Sequence, residues 1–304
     1  MDGTSVRESA HPVTGPRSRG FGLFGAPRGS EFAWGLAFVV PYAAVFVVFV
    51  IFPVAYGLWL GSEPSSYAQL FADPIYLRTL FNTLLFLAIG VNLHLFLALL
   101  LSGFFMLRYW WVKPLLLVFI LPWAVPALPT FISIHWMLDG QWGFINNALW
   151  GMFHIDGPSW LDTRWLAMGS VIVSYIWKWT PFWTVILLAG RMGVPQDIYE
   201  SARIDGATGI RSFVHVTFPL LANLYLVCTL LSTIWTLGDF NTVHFVSGGG
   251  PGLATHVLAT LGIRDAFEID QPRLGMATVM SALPLLIPLV ILLMRKLGRT
   301  EVQL

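Results

Sequence analysis

Charge is scarce in this sequence. Only 11% of its 304 residues are Asp, Glu, Lys or Arg, where an average soluble domain carries about 25%. A water-facing globular surface cannot be built from it. Cysteine is nearly absent too: Cys228 stands alone inside an apolar run, which excludes a disulfide within the chain and leaves a small buried hydrophobe. No G-x-x-x-x-G-K-[ST] phosphate loop occurs, and Gly206-Ala207-Thr208-Gly209 lacks the lysine. The chain is therefore expected to bind no ATP or other cofactor, to hold no catalytic residues and to be no enzyme. A formal net charge of +1 gives no footprint for nucleic acid. His94 and His135 lack the clustering that a metal site needs. The apolar stretches also lack the aspartate pair of an intramembrane hydrolase. An ion-coupled secondary transporter, the alternative reading, usually shows internal repeats and intramembrane carboxylates. No acid lies near the middle of any stretch, and Asp239 at the end of one comes nearest.

What is present is apolar length. Hydrophobic residues make up 56% of the chain and mean hydropathy is +0.72. A spanning helix needs about 20 apolar residues, and six stretches qualify, near 34–60, 78–106, 114–138, 165–190, 218–238 and 275–297. The fold class is all-α, a polytopic bundle of six transmembrane helices over 31–304. Met1 to Ser30, rich in Gly, Pro, Ser and Arg, reads as a disordered tail. Prolines at 41, 53, 122, 126, 129, 181, 284 and 288 fall inside the stretches. They predict kinked helices whose freed carbonyls find partners on neighbouring helices.

Basic residues in short loops mark the cytoplasmic side. Arg7, Arg17, Arg19 and Arg28 precede the first stretch, and Arg108 and Lys113 follow the second. Arg191, Arg203 and Arg211 follow the fourth, and Arg295, Lys296 and Arg299 close the chain. The alternate loops are poorer in base and carry Glu63, Asp73, Asp139, Asp156, Asp162, Asp265, Glu268 and Asp270. Both termini and the segment at 193–217 are thus expected in the cytoplasm.

That segment holds the most informative run, Glu200-Ser201-Ala202-Arg203-Ile204-Asp205-Gly206-Ala207. Pro195 suits a helix start, and Asp197 and Glu200 oppose the positive end of the helix dipole. Gly206 can adopt the left-handed backbone that ends a helix. Asp205, Thr208 and Ser212 are candidate caps for the helix that follows. Ala202 and Ala207 leave room for a close partner backbone. A helix, a sharp turn and a second helix are predicted.

With Phe213 and Pro219 downstream, the pattern E-S-A-x-x-D-G-A-x5-F-x4-P resembles the EAA loop of permease subunits of bacterial ATP-binding-cassette (ABC) importers. Five further segments resemble the carbohydrate-uptake branch of that family. They are Arg78–Thr83, Gly143–Asn146 with Trp136, Pro158–Leu161, Trp177–Phe182, and Asp239-Phe240-Asn241 followed by Ser247–Pro251, with serine where threonine is usual. The loop Gly61–Leu77 is too short for the large inserted domain of some maltose-type relatives.

The resemblance implies a transport subunit in a bacterial inner membrane, moving a disaccharide, an oligosaccharide or a sugar or glycerol phosphate by alternating access. It implies a second, homologous permease as partner, forming a heterodimer among membrane lipids. It also implies two ATPase subunits carrying ATP and Mg, and a periplasmic or lipid-anchored sugar-binding protein. The elbow residues Glu200, Ser201, Ala202, Arg203, Asp205, Gly206 and Ala207 would couple to the ATPase. Sugar passage calls for aromatic rings and a few placed polar groups. Asn92, Tyr175, Trp177, Lys178, Trp179 and Asn241 are the candidates, because polar groups deep in a span face a cavity or a partner. Lys178 fits equally a structural bond between helices, and Trp34, Trp110 and Trp111 read as an interfacial belt.

Overall fold

The computed structural model describes residues 29–301, which are helical wherever they are regular and include no strand. Five helices are long and apolar enough to cross a membrane: Ala33–Leu60, Pro74–Phe104, Arg164–Met192, Ile210–Leu237 and Pro272–Leu297. A bent pair, Val112–Ala124 and Ala127–Met137, makes a sixth if it counts as one span. In chain order the five are the first, second, fourth, fifth and sixth spans, and the bent pair is the third. The reading of Met1–Ser30 as a tail lies outside the described residues, except that Gly29 and Ser30 already belong to the helix Gly29–Phe46. The chain divides into a small unit up to Val54 and a large one from Ala55 onward.

Within the large unit the second and fourth spans form the centre. Val91, Leu95, Ala98 and Leu99 recur at helical spacing and lay one face of the second span on Trp183 and Leu187 of the fourth. Leu221 and Cys228 of the fifth span complete this layer. Lipid is as apolar as leucine, so close fit and interhelical hydrogen bonds, not transfer from water, favour these contacts. His94 is one such fastener. Its Nδ1–H donates to the Gly90 carbonyl one turn back, leaving Nε2 to accept from the Ser232 hydroxyl of the fifth span at 3.1 Å. The hydroxyls of Tyr175 and Thr236 tie the fourth span to the fifth at 2.5 Å.

The third span carries the kink that its prolines predict: it bends by 92° between Ala124 and Ala127. A residue before proline avoids helical backbone, and Val125, before Pro126, is extended with ψ 139. The prolines also strip two carbonyls of their helical donors. The Pro122 carbonyl would be served by the N–H of residue 126 and the Val125 carbonyl by that of residue 129, and both positions are proline. Lys178 of the fourth span supplies the missing donors. Its Nζ donates to the Pro122 carbonyl at 2.7 Å and to the Val125 carbonyl.

The fifth span begins at Ile210, eight residues before the expected start at 218. The apolar stretch opens beside Pro219, and the helix passes that proline through one wide turn in which the Phe218 N–H reaches back to the Phe213 carbonyl.

Candidate functional site

Pro195 precedes the elbow helix Gln196–Ile204, whose first turn carries Asp197. The helix ends by the mechanism its sequence predicts. Gly206 has φ +79, its N–H donates to the Arg203 carbonyl at 3.0 Å, and the Ala207 N–H donates to the Ala202 carbonyl at 2.8 Å. Those two bonds with a left-handed glycine between them are a Schellman motif. Ala202 is buried, Ala207 is half-buried, and Glu200, Ser201, Arg203, Asp205 and Gly206 are exposed. The expected caps are not used: the helix at Ile210 follows Gly209 with no side-chain cap. Thr208 contributes its backbone carbonyl instead, to the Arg211 N–H at 3.1 Å.

The candidate pathway residues do not converge on one place. Tyr175 is buried, with its ring against Phe86 and His94. Trp179 lies beside it at 6.4 Å between ring centroids. Lys178 is 1% exposed and spent on the third-span bend. Trp177 turns to another face, where with Trp160 and Trp165 it lines an apolar cavity of about 650 Å³. Asn92 is exposed and donates to the Ala88 carbonyl in its own helix at 2.8 Å. Asn241 opens the short helix Asn241–Ser247 at the far end of the fifth span, and Asp239 accepts from the Thr242 N–H there at 3.1 Å.

A different constellation escaped the sequence reading. Phe182 meets Trp123 at 5.4 Å, Trp183 at 5.0 Å and Trp235 at 5.6 Å, joining the third, fourth and fifth spans in one aromatic wall. Trp235 is 50% exposed, and the buried Trp179 Nε1 has no partner among the described residues. The signal was present as Trp179, Phe182 and Trp183 at helical spacing, but Trp123 and Trp235 reach them only through the fold.

The remaining motifs are clamps at the end of the fifth span away from the elbow. Asn82 Nδ2 donates to the carbonyls of Ala254 and His256 at 2.8 and 2.9 Å, and Arg164 donates to Asn82 Oδ1 at 3.0 Å. Thr83 Oγ1 accepts from the Leu258 N–H at 2.9 Å. Asn146 donates to the Pro158 carbonyl at 3.2 Å and accepts from Trp160 Nε1 at 2.8 Å, which explains why the segments 143–146 and 158–161 occur together. His135, expected to be a satisfied intrabundle group, donates to the Val246 carbonyl at 2.9 Å.

Within these clamps His256 is buried. Desolvation, aided by the positive charge of Arg264, lowers its pKa from 6.5 to about 4. The neutral ring is the folded form, so its stabilisation is complete above pH 6.5 and is lost as pH falls through about 4. The chain should lose about 3 kcal/mol between pH 7 and pH 4 from this group. Melting of the detergent-solubilised chain across that range should show the loss, and His256→Gln should flatten it.

Helices of spanning length in a bundle tied by buried hydrogen bonds define a multi-pass membrane protein. The chain belongs to the family of binding-protein-dependent transport system inner membrane components, whose model matches residues 76–299. It is 32% identical to a sulfoquinovosyl glycerol transport system permease protein of Agrobacterium fabrum over 66% of this chain and 64% of that protein. It is 30% identical to a trehalose/maltose transport system permease protein of Thermococcus litoralis over 75% of this chain and 81% of that one. Its fold is that of a chain in a bacterial ABC transporter for import of the acidic polysaccharide alginate. That match has a TM-score of 0.75 at 20% identity, covering 88% of this chain and 96% of the other.

Proposed function

We propose that this chain is one permease half of an ATP-driven importer that takes a sugar from an external binding protein to the cytoplasm. The observation that carries this reading is the family match over 76–299, which contains the elbow and five of the spans. Relatives named for sulfoquinovosyl glycerol and trehalose/maltose transport support a carbohydrate substrate. A second, homologous permease completes the pathway. Two ATPase subunits dock on the elbows and hold ATP and Mg, and both termini lie in the cytoplasm. ATP binding shifts the population between inward- and outward-facing arrangements. The partly exposed Trp179, Phe182 and Trp235 of the aromatic wall, beside the buried Tyr175, are the surface best suited to a passing sugar ring, whereas Lys178 holds the third span.

Gentle detergent purification from the native membrane tests this reading. An ATPase with a phosphate loop and a second multi-span chain should co-purify. Recovery of this chain alone, even after mild cross-linking, would reopen the ion-coupled alternative.

A further inference from the structure

Beside the elbow lies a polar cavity of about 450 Å³. Arg108, from the loop after the second span, and Arg191, in the last turn of the fourth, line it together with Gln196, Tyr199, Glu200 and Arg203 of the elbow helix. Three guanidinium groups thus share one hollow with a single carboxylate. None of the three makes an ion pair within 4 Å among the described residues, where the ion pairs are Arg264–Asp265 and Arg273–Glu63. Gathering three like charges around one carboxylate is unfavourable, so the hollow carries an excess of positive charge that an anion from outside the chain would balance.

Arg191 is built into place. Its Nη2 donates to the Leu99 carbonyl at 3.1 Å, and its buried Nε has no partner. The guanidinium lies so close to Gly103 that a Cβ there would sit 3.2 Å from Nη1. Residues 196, 199, 200 and 203 follow i, i+3, i+4, i+7 spacing and form one face of the elbow helix. Glu200 and Arg203 stand exposed at the rim of that face, and with the neighbouring Asp197, Ser201 and Ile204, the last 87% exposed, they remain open to a protein partner. Depth points the same way. Tyr109 and Trp111, whose rings stack at 5.8 Å, and the exposed Trp110 adjoin Arg108 as interfacial aromatics do.

We propose that this cavity binds a phosphate-bearing anion, and that its source is the headgroup of an anionic lipid. Basic pockets at the inner ends of spans hold such headgroups. The placement at the cytoplasmic leaflet rests on the orientation proposed above, but the binding measurement does not depend on transport and can fail separately from it.

The test uses the full chain purified with its native partners, exchanged into detergent with phosphatidylglycerol or phosphatidylcholine, and bound lipid counted by native mass spectrometry. Phosphatidylglycerol should be retained over phosphatidylcholine. Arg108→Gln, at an exposed position, should weaken retention about fivefold, while Lys113→Gln, in the same basic region but outside the cavity, should leave it unchanged. Arg191→Gln gives a second reading from the built side of the hollow. Protection from thermal unfolding by inorganic phosphate, without lipid preference, would keep the anion site and assign it to free phosphate. Equal losses in Arg108→Gln and Lys113→Gln would overturn the proposal, as would neither lipid preference nor phosphate protection. Loss of the lipid whenever the ATPase is bound would overturn it in favour of an acidic protein contact.

Discussion

Lys178→Met is expected to cost the folded chain about 3 kcal/mol, as a lower melting temperature in detergent and a smaller folded yield. The side chain is nearly fully buried, and its ammonium is the donor for the Pro122 and Val125 carbonyls. Hydrogen bonds to a charged group contribute about 1.5–3 kcal/mol each, and methionine recovers only part of that by ending the desolvation of the charge. The carbonyls are orphaned because residues 126 and 129 are prolines, so the loss should be partly reversible. Pro126→Ala returns an N–H to the turn that serves Pro122, and Lys178→Met with Pro126→Ala should melt above Lys178→Met alone. A lysine acting on substrate would behave otherwise, with Lys178→Met melting like the parent chain while uptake disappears. Wild-type melting in that variant would overturn the structural assignment.

The parts of this bond were visible in the sequence as separate facts: Pro122, Pro126 and Pro129 close together in one apolar stretch, and one lysine inside another. What joins them is the packing of the third span against the fourth, which no local pattern specifies. The same division runs through the molecule. The fourth span was expected at 165–190 and lies at Arg164–Met192, because apolar length is a property of the stretch itself. The stop at Gly206 was equally legible, since a left-handed residue after a polar helix is set within six residues. The caps proposed at Asp205, Thr208 and Ser212 were not used, because Gly209, with φ +55, sets the entry of the next helix. The aromatic wall mixes neighbours on one helix with Trp123 and Trp235 from two others, and only the first kind can be read along a chain. Asn82 and Asn146 stood out as motif residues with no visible task, and their partners lie up to 174 positions away.

Gly206→Pro and Glu200→Lys should separate ATP hydrolysis from uptake while the chain remains folded in the membrane. Gly206 needs φ +79, and its N–H serves the Arg203 carbonyl. Proline fixes φ near −65° and has no N–H, so the Schellman turn cannot close and the elbow helix leaves at a new angle. No atom lies within 4 Å of a Cβ built on Gly206. Gly206→Ala therefore bears only the backbone strain of the left-handed region, about 1–2 kcal/mol, and should keep more activity than the proline variant. Glu200 is exposed at the rim of the basic hollow, so reversing its charge leaves the packed cores of the spans untouched and acts on the hollow and on whatever the elbow meets. Since about 1.4 kcal/mol is a factor of ten, a misdirected elbow should lower uptake by about tenfold or more. In vesicles holding the assembled importer, the ATPase should continue to turn over without its response to sugar. The order of effects, proline worse than alanine at one position and a charge reversal alone sufficing at another, is what a docking elbow demands. A merely structural connection between the fourth and fifth spans would show its damage as lost folded chain instead. Normal sugar-stimulated uptake in both Gly206→Pro and Glu200→Lys would reduce the elbow to such a connection.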